Sequence, residues 1–149
     1  MRFEIRDGSI NDLQELFFIE QKAFLHPWKE KDMVYELTEN PVSHYLVVEN
    51  EEGHIIAFID YWVTFDSSTI AQIATLPEYR RQGLAEALLK ETIKDLYAKK
   101  VLTITLEVRT HNTAAINLYH KCGFEGIVIK PHYYENGDDA LYMMRKVDL

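Results

Sequence analysis

Two stretches of this 149-residue sequence hold side chains whose types and spacing could do chemistry. The first is "LPEYRRQGLAEALLK", from Leu76 to Lys90, where two arginines and one glycine precede a run of helical period. A turn that opens a helix leaves the first backbone N–H groups without intrahelical acceptors. Those amides and the helix dipole together can bind a phosphate. Gly83 would let the backbone approach such an anion closely, and Arg80 and Arg81 would add positive charge. The same residues equally describe a surface turn with two solvated arginines. No Gly-Lys-Ser or Gly-Lys-Thr step follows, so this is not a Walker loop. One glycine is too few for a dinucleotide fingerprint.

The second stretch is "LEVRTHNTAAINLYHKCGF". It places Glu107 near a strand end, Asn112 at a helix start and Tyr119 two turns into that helix. Glu107 lies on the polar side of its strand, as a general base or as a solvated carboxylate. Asn112 reads as an N-cap. Tyr119 and Cys122 share an apolar stripe. Cys122 has no base beside it and reads as a small buried hydrophobe, not a nucleophile. The six histidines are scattered with no i, i+4 pair, so no metal site is expected.

The elements that must position these residues follow from periodicity. "RFEIR" alternates as a short strand. Ser9 can cap a helix with Asp12 in its first turn, carrying Leu13, Leu16, Phe17 and Phe24. "HPW" interrupts, "KEKDMVYEL" forms a second helix, and Asn40-Pro41 ends it. "SHYLVVEN" and "HIIAFIDYWVTF" make a hairpin around "EEG". Asp66-Ser67-Ser68 is a turn, and "TIAQIAT" a mostly buried strand. Leu84, Ala85, Leu88, Leu89, Ile93, Leu96 and Tyr97 make the stripe of the third helix. In "VLTITLEV", Leu102, Ile104, Leu106 and Val108 take one face while Thr103, Thr105 and Glu107 take the other. Ala115, Leu118, Tyr119 and Cys122 then recur at helical spacing, with Gly123 as C′ residue and Phe124 folding back. "FEGIVIK" and "ALYMMRKV" close the chain as strands around "PHYYENGDD". The expected fold class is α/β, a mixed sheet with helices on both faces in the order β-α-α-β-β-β-α-β-α-β-β.

Composition narrows the function classes. The length suits one domain over residues 1–149. With a single cysteine no internal disulfide can form, which fits a reducing compartment. The N-terminus has no apolar signal core, and no apolar run approaches about 18 residues. A cytoplasmic protein without membrane contact is expected. The net charge of −8 argues against direct nucleic-acid binding and favours a basic partner.

Together, the turn from Arg80 to Ala85 and the run from Asn112 through Ala115, Leu118 and Tyr119 to Gly123-Phe124 resemble the GNAT acetyltransferase superfamily over essentially the whole chain. "AFLHPWKEK", "LEVRTHN" and "PHYYENGDDALYM" are similar to the RimI-type ribosomal-protein alanine N-acetyltransferases. Ala85 replaces a glycine found in many relatives, and Thr75 replaces a valine.

The resemblance implies acetyl-CoA as co-substrate. Its pyrophosphate would sit on the amides of Arg81, Gln82, Gly83, Leu84, Ala85 and Glu86. Its pantetheine arm would run along Ile73, Ala74 and Thr75, where the fourth and fifth strands splay apart, with Asn112 bonding it beside the gap. Glu107 becomes the catalytic base and Tyr119 the acid that protonates the leaving thiolate. Leu25 and His26 would line one wall of the acceptor cleft, Tyr133 and Tyr134 the other. The implied acceptor is a protein N-terminus, the alanine of a basic small-subunit ribosomal protein. A lysine or small-amine acetyltransferase of the same fold, and a CoA-binding module without turnover, are the alternatives.

Overall fold

The computed structural model describes residues 2–149. Alternating strands and amphipathic helices follow one another as β1 (Phe3–Asp7), α1 (Leu13–Ala23), α2 (Glu30–Thr38), β2 (Ser43–Asn50), β3 (Ile55–Thr64), β4 (Ser67–Thr75), α3 (Leu84–Ala98), β5 (Thr103–Arg109), α4 (Thr113–Lys121), β6 (Glu125–Lys130) and β7 (Ala140–Lys146). This is the order expected from periodicity. The strands form one sheet in the order β1-β2-β3-β4-β5-β7-β6. Every neighbouring pair is antiparallel except β4 and β5, which α3 joins as a parallel crossover.

That parallel pair is short. Only Ser67, Ser68 and Thr69 pair with Thr103, Ile104 and Thr105. Beyond them the strands part. From Ile70 to Thr75, β4 keeps its β3 partner and, among the described residues, has no strand on its other side. This is the splay that the resemblance implied.

Helices cover both faces. On one, Glu20 of α1 meets Gln72 of β4, and Glu36 of α2 accepts from the Trp62 indole. On the other, the Tyr61 hydroxyl donates to Asp95 of α3, and Arg145 reaches the Cys122 carbonyl just past α4. Leu16, Phe58, Ile59, Leu88, Leu89 and Leu106 are among the core residues these layers bury. Among the described residues no helix is long and apolar enough to cross a membrane.

Helix ends behave as the sequence suggests. Ser9 and Asp12 form a reciprocal capping box, which opens a single 3₁₀ turn (Ile10–Asp12) leading into α1. Arg6 grips the Asp12 carboxylate with two hydrogen bonds of 2.9 and 3.0 Å. At the other end of the chain, Gly123 has φ +91°. The Phe124 N–H donates to the Tyr119 carbonyl and the Gly123 N–H to that of His120. The Tyr119 and Phe124 rings meet edge-on at 5.9 Å. This is a Schellman end with its apolar contact, and it ties the orientation of Tyr119 to the end of its helix.

Three expectations need correction. The turn is Phe65-Asp66, not Asp66-Ser67-Ser68, and Phe65 takes φ +50°. Ser67 and Ser68 are drawn into β4 because they pair with Thr64 and Val63 on one side and with β5 on the other. Leu102 is 60% exposed and lies ahead of β5. Its N–H is held by the Asp66 carbonyl, outside the alternation that buries Ile104, Leu106 and Val108. Finally, the strand expected to be mostly buried alternates along β4 between buried and half-buried residues.

Candidate active site

The turn before α3 is an amide cradle. Arg81 and Gly83 both take left-handed backbone angles, φ +63° and +79°. This bends the chain so that successive N–H groups leave on one side. The Arg80 N–H bonds the Pro77 carbonyl and the Ala87 N–H bonds that of Gly83. Between them, the amides of Arg81, Gln82, Gly83, Leu84, Ala85 and Glu86 have no acceptor among the described residues. A Cβ on Gly83 would meet no atom within 4 Å, so space is open there. Free amides, a helix N-terminus and open space suit a diphosphate. Lys121 of α4 pairs with Glu86 at 3.2 Å and braces the cradle.

The gap between β4 and β5 lies beside this turn. Ile73, Ala74 and Thr75 sit in the part of β4 that has lost its β5 partner. Asn112 caps α4, its side-chain oxygen accepting from the Ala115 N–H at 3.3 Å. Its amide NH₂ has no partner among the described residues. Tyr119 is the buried residue of α4. Burial raises the pKa of its hydroxyl, as does the nearby Tyr134. The hydroxyl has no hydrogen-bond partner among the described residues, yet it is not fully enclosed and keeps access to solvent. Cys122 is half-buried, and burial raises its thiol, which fits a packing role.

Glu107 projects from the β5 face opposite the buried Leu106 and Val108. Its Oε1 accepts from the Lys130 ammonium at 3.0 Å. That ammonium also lies 4.5 Å from the Tyr142 ring centre and 5.4 Å from that of Tyr133. The contact with Glu107 raises the Lys130 pKa. Oε2 of Glu107 has no partner among the described residues.

The loop between β6 and β7 is held firmly. Arg109 stacks on the Tyr134 ring at 3.9 Å and donates to Asp138 and Asn136 at 2.7 and 2.9 Å. Hydrogen bonds from His111, Asn136 and Arg109 lower the Asp138 carboxyl to about 2. Burial raises Tyr134 to about 12, against the pull of Arg109. Tyr133 meets Tyr134 edge-on at 5.0 Å and is half-exposed. The structure therefore brings Glu107, Tyr133 and Tyr134 together and adds Lys130, Arg109, Tyr142 and Asp138, which sequence reasoning missed. The only signal for them was the "NGDD" turn. Leu25 and His26 sit in the exposed loop between α1 and α2, and among the described residues no hydrogen bond or ring contact links them to the tyrosines.

The Acetyltransferase (GNAT) family model matches residues 13–124. This chain belongs to the GNAT acetyltransferases. The GNAT member named ribosomal protein bS18-alanine N-acetyltransferase in Escherichia coli is 37% identical over 141 residues, covering 93% of each chain. The crystal structure of the E. coli ribosomal-protein-S18-alanine N-acetyltransferase superposes with a TM-score of 0.91 at 34% identity, covering 99% of this chain and 96% of that one. An N-alpha-acetyltransferase of Sulfurisphaera tokodaii is 30% identical over 156 residues, covering 95% of this chain and 91% of the relative. The mixed seven-stranded sheet is thus the GNAT fold, and this GNAT chain is an acetyltransferase.

Proposed function

We propose that this protein transfers the acetyl group of acetyl-CoA to the α-amine of a protein N-terminus, with the N-terminal alanine of a ribosomal protein as acceptor. The observation that carries the reading is the position of Glu107. It lies on the acceptor face of the strand bordering the gap, within reach of the Tyr133–Tyr134 loop. The names of the relatives point to the same acceptor.

Acetyl-CoA supplies the activated thioester. The amides from Arg81 to Glu86 hold its diphosphate, the free edge at Ile73, Ala74 and Thr75 holds the pantetheine arm, and Asn112 donates from its free amide. Leu25, His26, Tyr133 and Tyr134 bound the acceptor. Glu107 takes the amine proton on Oε2, the oxygen that Lys130 leaves free. Tyr119 offers its hydroxyl proton to the departing sulfur. Its raised pKa keeps that proton in place until a thiolate forms.

Lys130 also bears on the choice of amine. An incoming group must share Glu107 with a fixed ammonium, which disfavours a second full positive charge. An α-amine of pKa about 8 is roughly 10% neutral at pH 7, whereas a lysine of about 10.4 is neutral only at a few parts in ten thousand. The net charge of −8 would draw in a basic chain end in the cytoplasm. The test is thiol release from acetyl-CoA with a free-N-terminus peptide beginning with alanine. One CoA thiol per acetylated peptide is expected. Binding of acetyl-CoA without thiol release from any peptide would leave only a binding module.

A further inference from the structure

Glu20 is wholly buried on α1, in a part of the molecule that the proposed chemistry does not use. One oxygen of its carboxylate, Oε2, accepts two hydrogen bonds. The Trp28 backbone N–H donates at 2.8 Å and the Gln72 side-chain amide at 2.9 Å. The two donors belong to different parts of the site. Trp28 lies in the loop that carries Leu25 and His26, and Gln72 immediately precedes Ile73 on β4.

We infer that Glu20 is a positioning residue that locks the acceptor wall of the site to the strand carrying the acetyl-CoA arm. The inference rests on the function proposed above, since that reading makes the Leu25–His26 loop an acceptor wall.

Three observations support it. First, the bond to Glu20 is the one hydrogen bond made by residues 25–28 among the described residues. Leu25 is 89% exposed and His26 is exposed as well, so packing reaches this segment only at its half-buried end, where Trp28 meets the core beside the same bond. Second, Glu20 is a costly way to fill a core position. It forms no ion pair among the described residues, and its Oε1 has no partner. Burial raises its pKa, and only the Trp28 and Gln72 bonds offset this. A buried polar group with one orphaned oxygen is destabilising relative to a leucine that fits the same space. Stability alone therefore does not account for it. Third, Gln72 is itself fixed in a cross-strand row, opposite Asp60, which is opposite Tyr45. The clamp thus pulls the loop onto a rigid sheet rather than onto another loop.

The functional consequence is geometric. The amine nitrogen must reach about 3–3.5 Å from the thioester carbon, and an error near 1 Å lowers the rate about a hundredfold. A single atom bonded to both walls sets that separation.

The experiment compares Glu20→Leu, Glu20→Gln and the double variant Glu20→Leu/Gln72→Leu with the unaltered protein. Glutamine can still accept from Trp28 through Oε1, and its NH₂ can face the free Oε1 of Gln72. Glu20→Leu is expected to raise KM for an alanine-starting peptide at least tenfold and to lower kcat, with KM for acetyl-CoA unchanged. Glu20→Gln should restore both to within about threefold. The double variant removes the stranded Gln72 donor and keeps the test open should the single leucine variant fold poorly. Hydrogen exchange at the Trp28 amide, measured without substrates, reads the clamp directly. It should quicken at least tenfold in Glu20→Leu and stay slow in Glu20→Gln.

Unchanged peptide kinetics in both leucine variants would overturn the inference. So would an equal rise in KM for acetyl-CoA, or a Glu20→Gln variant as impaired as Glu20→Leu. If the unaltered protein acetylates no peptide, the functional reading fails instead. A fast-exchanging Trp28 amide in the unaltered protein would then overturn the clamp on its own.

Discussion

Replacing Gly83 separates a backbone cradle from a side-chain one. Gly83 holds φ +79° at the entrance of α3, and an added Cβ would meet no atom within 4 Å. Gly83→Ala therefore introduces no clash in the free protein, and its whole effect comes from the left-handed backbone. Holding a non-glycine residue there costs about 1–2 kcal/mol, and a β-branched valine somewhat more. That energy must appear in one of two places. If the turn keeps its shape, the alanine variant loses stability, roughly 2–8 °C in Tm for a chain of this size. If the turn relaxes to a right-handed angle, Tm is kept but the amides turn away. Restoring them on binding then weakens acetyl-CoA by about 5- to 30-fold. Arg81→Ala is the control. It removes an exposed charge, keeps the amide, and leaves another non-glycine residue at φ +63°. Its effect on Kd should stay below about 1 kcal/mol, or roughly fivefold. Calorimetric titration with acetyl-CoA and a thermal melt of each variant suffice. A Gly83→Ala protein with parental Tm and parental Kd would refute the strain argument. An Arg81→Ala variant weaker than Gly83→Val would show that charge, not the amide row, holds the diphosphate.

Glu107→Gln should lower kcat roughly 10²- to 10⁴-fold with little change in acetyl-CoA affinity, as read by single-turnover and equilibrium binding. Tyr119→Phe should lower kcat with Tm nearly unchanged, because the lost hydroxyl has no protein partner to strand. Arg109→Ala removes the group stacked on Tyr134 and bonded to Asp138, so peptide KM should rise several-fold while acetyl-CoA KM holds. Asp60 gives a pH signature: burial and the neighbouring Glu36 raise its carboxyl to about 9. The folded state then keeps a proton that the unfolded chain releases above about pH 4, so stability should fall as pH rises from about 4 to about 9, by at most about 1.4 kcal/mol per unit, and melts of Asp60→Asn should lose that slope.

Much of this was legible because it is local. The capping box of Ser9 and Asp12 and the Schellman end at Gly123-Phe124 are read from residues three to five apart. The alternation through Ile104, Leu106 and Val108 correctly turned Glu107 to the other face. What stayed hidden depends on strand order. Lys130 reaches Glu107 across 23 residues of sequence because β7 inserts between β5 and β6, which no periodicity reports. Glu20 and Gln72 are 52 residues apart and meet only because α1 lies over β4. The left-handed angle of Arg81 was equally invisible, since arginine carries no signal for positive φ. The misplaced turn at Asp66-Ser67-Ser68 shows the reverse error. Local turn propensity lost to ladder bonds on both sides of Ser67 and Ser68.

The most direct measurement uses two peptides of one sequence, each beginning with alanine. One has a free N-terminus and blocked lysines; the other has a blocked N-terminus and free lysines. Both are incubated with acetyl-CoA at pH 7, and the acetylated site is located by mass spectrometry. The free N-terminus should be acetylated faster by at least the roughly 10²-fold ratio of neutral amine between the two groups. Faster acetylation of the lysines would contradict the assignment of an α-amine acceptor and make this a lysine acetyltransferase of the same fold.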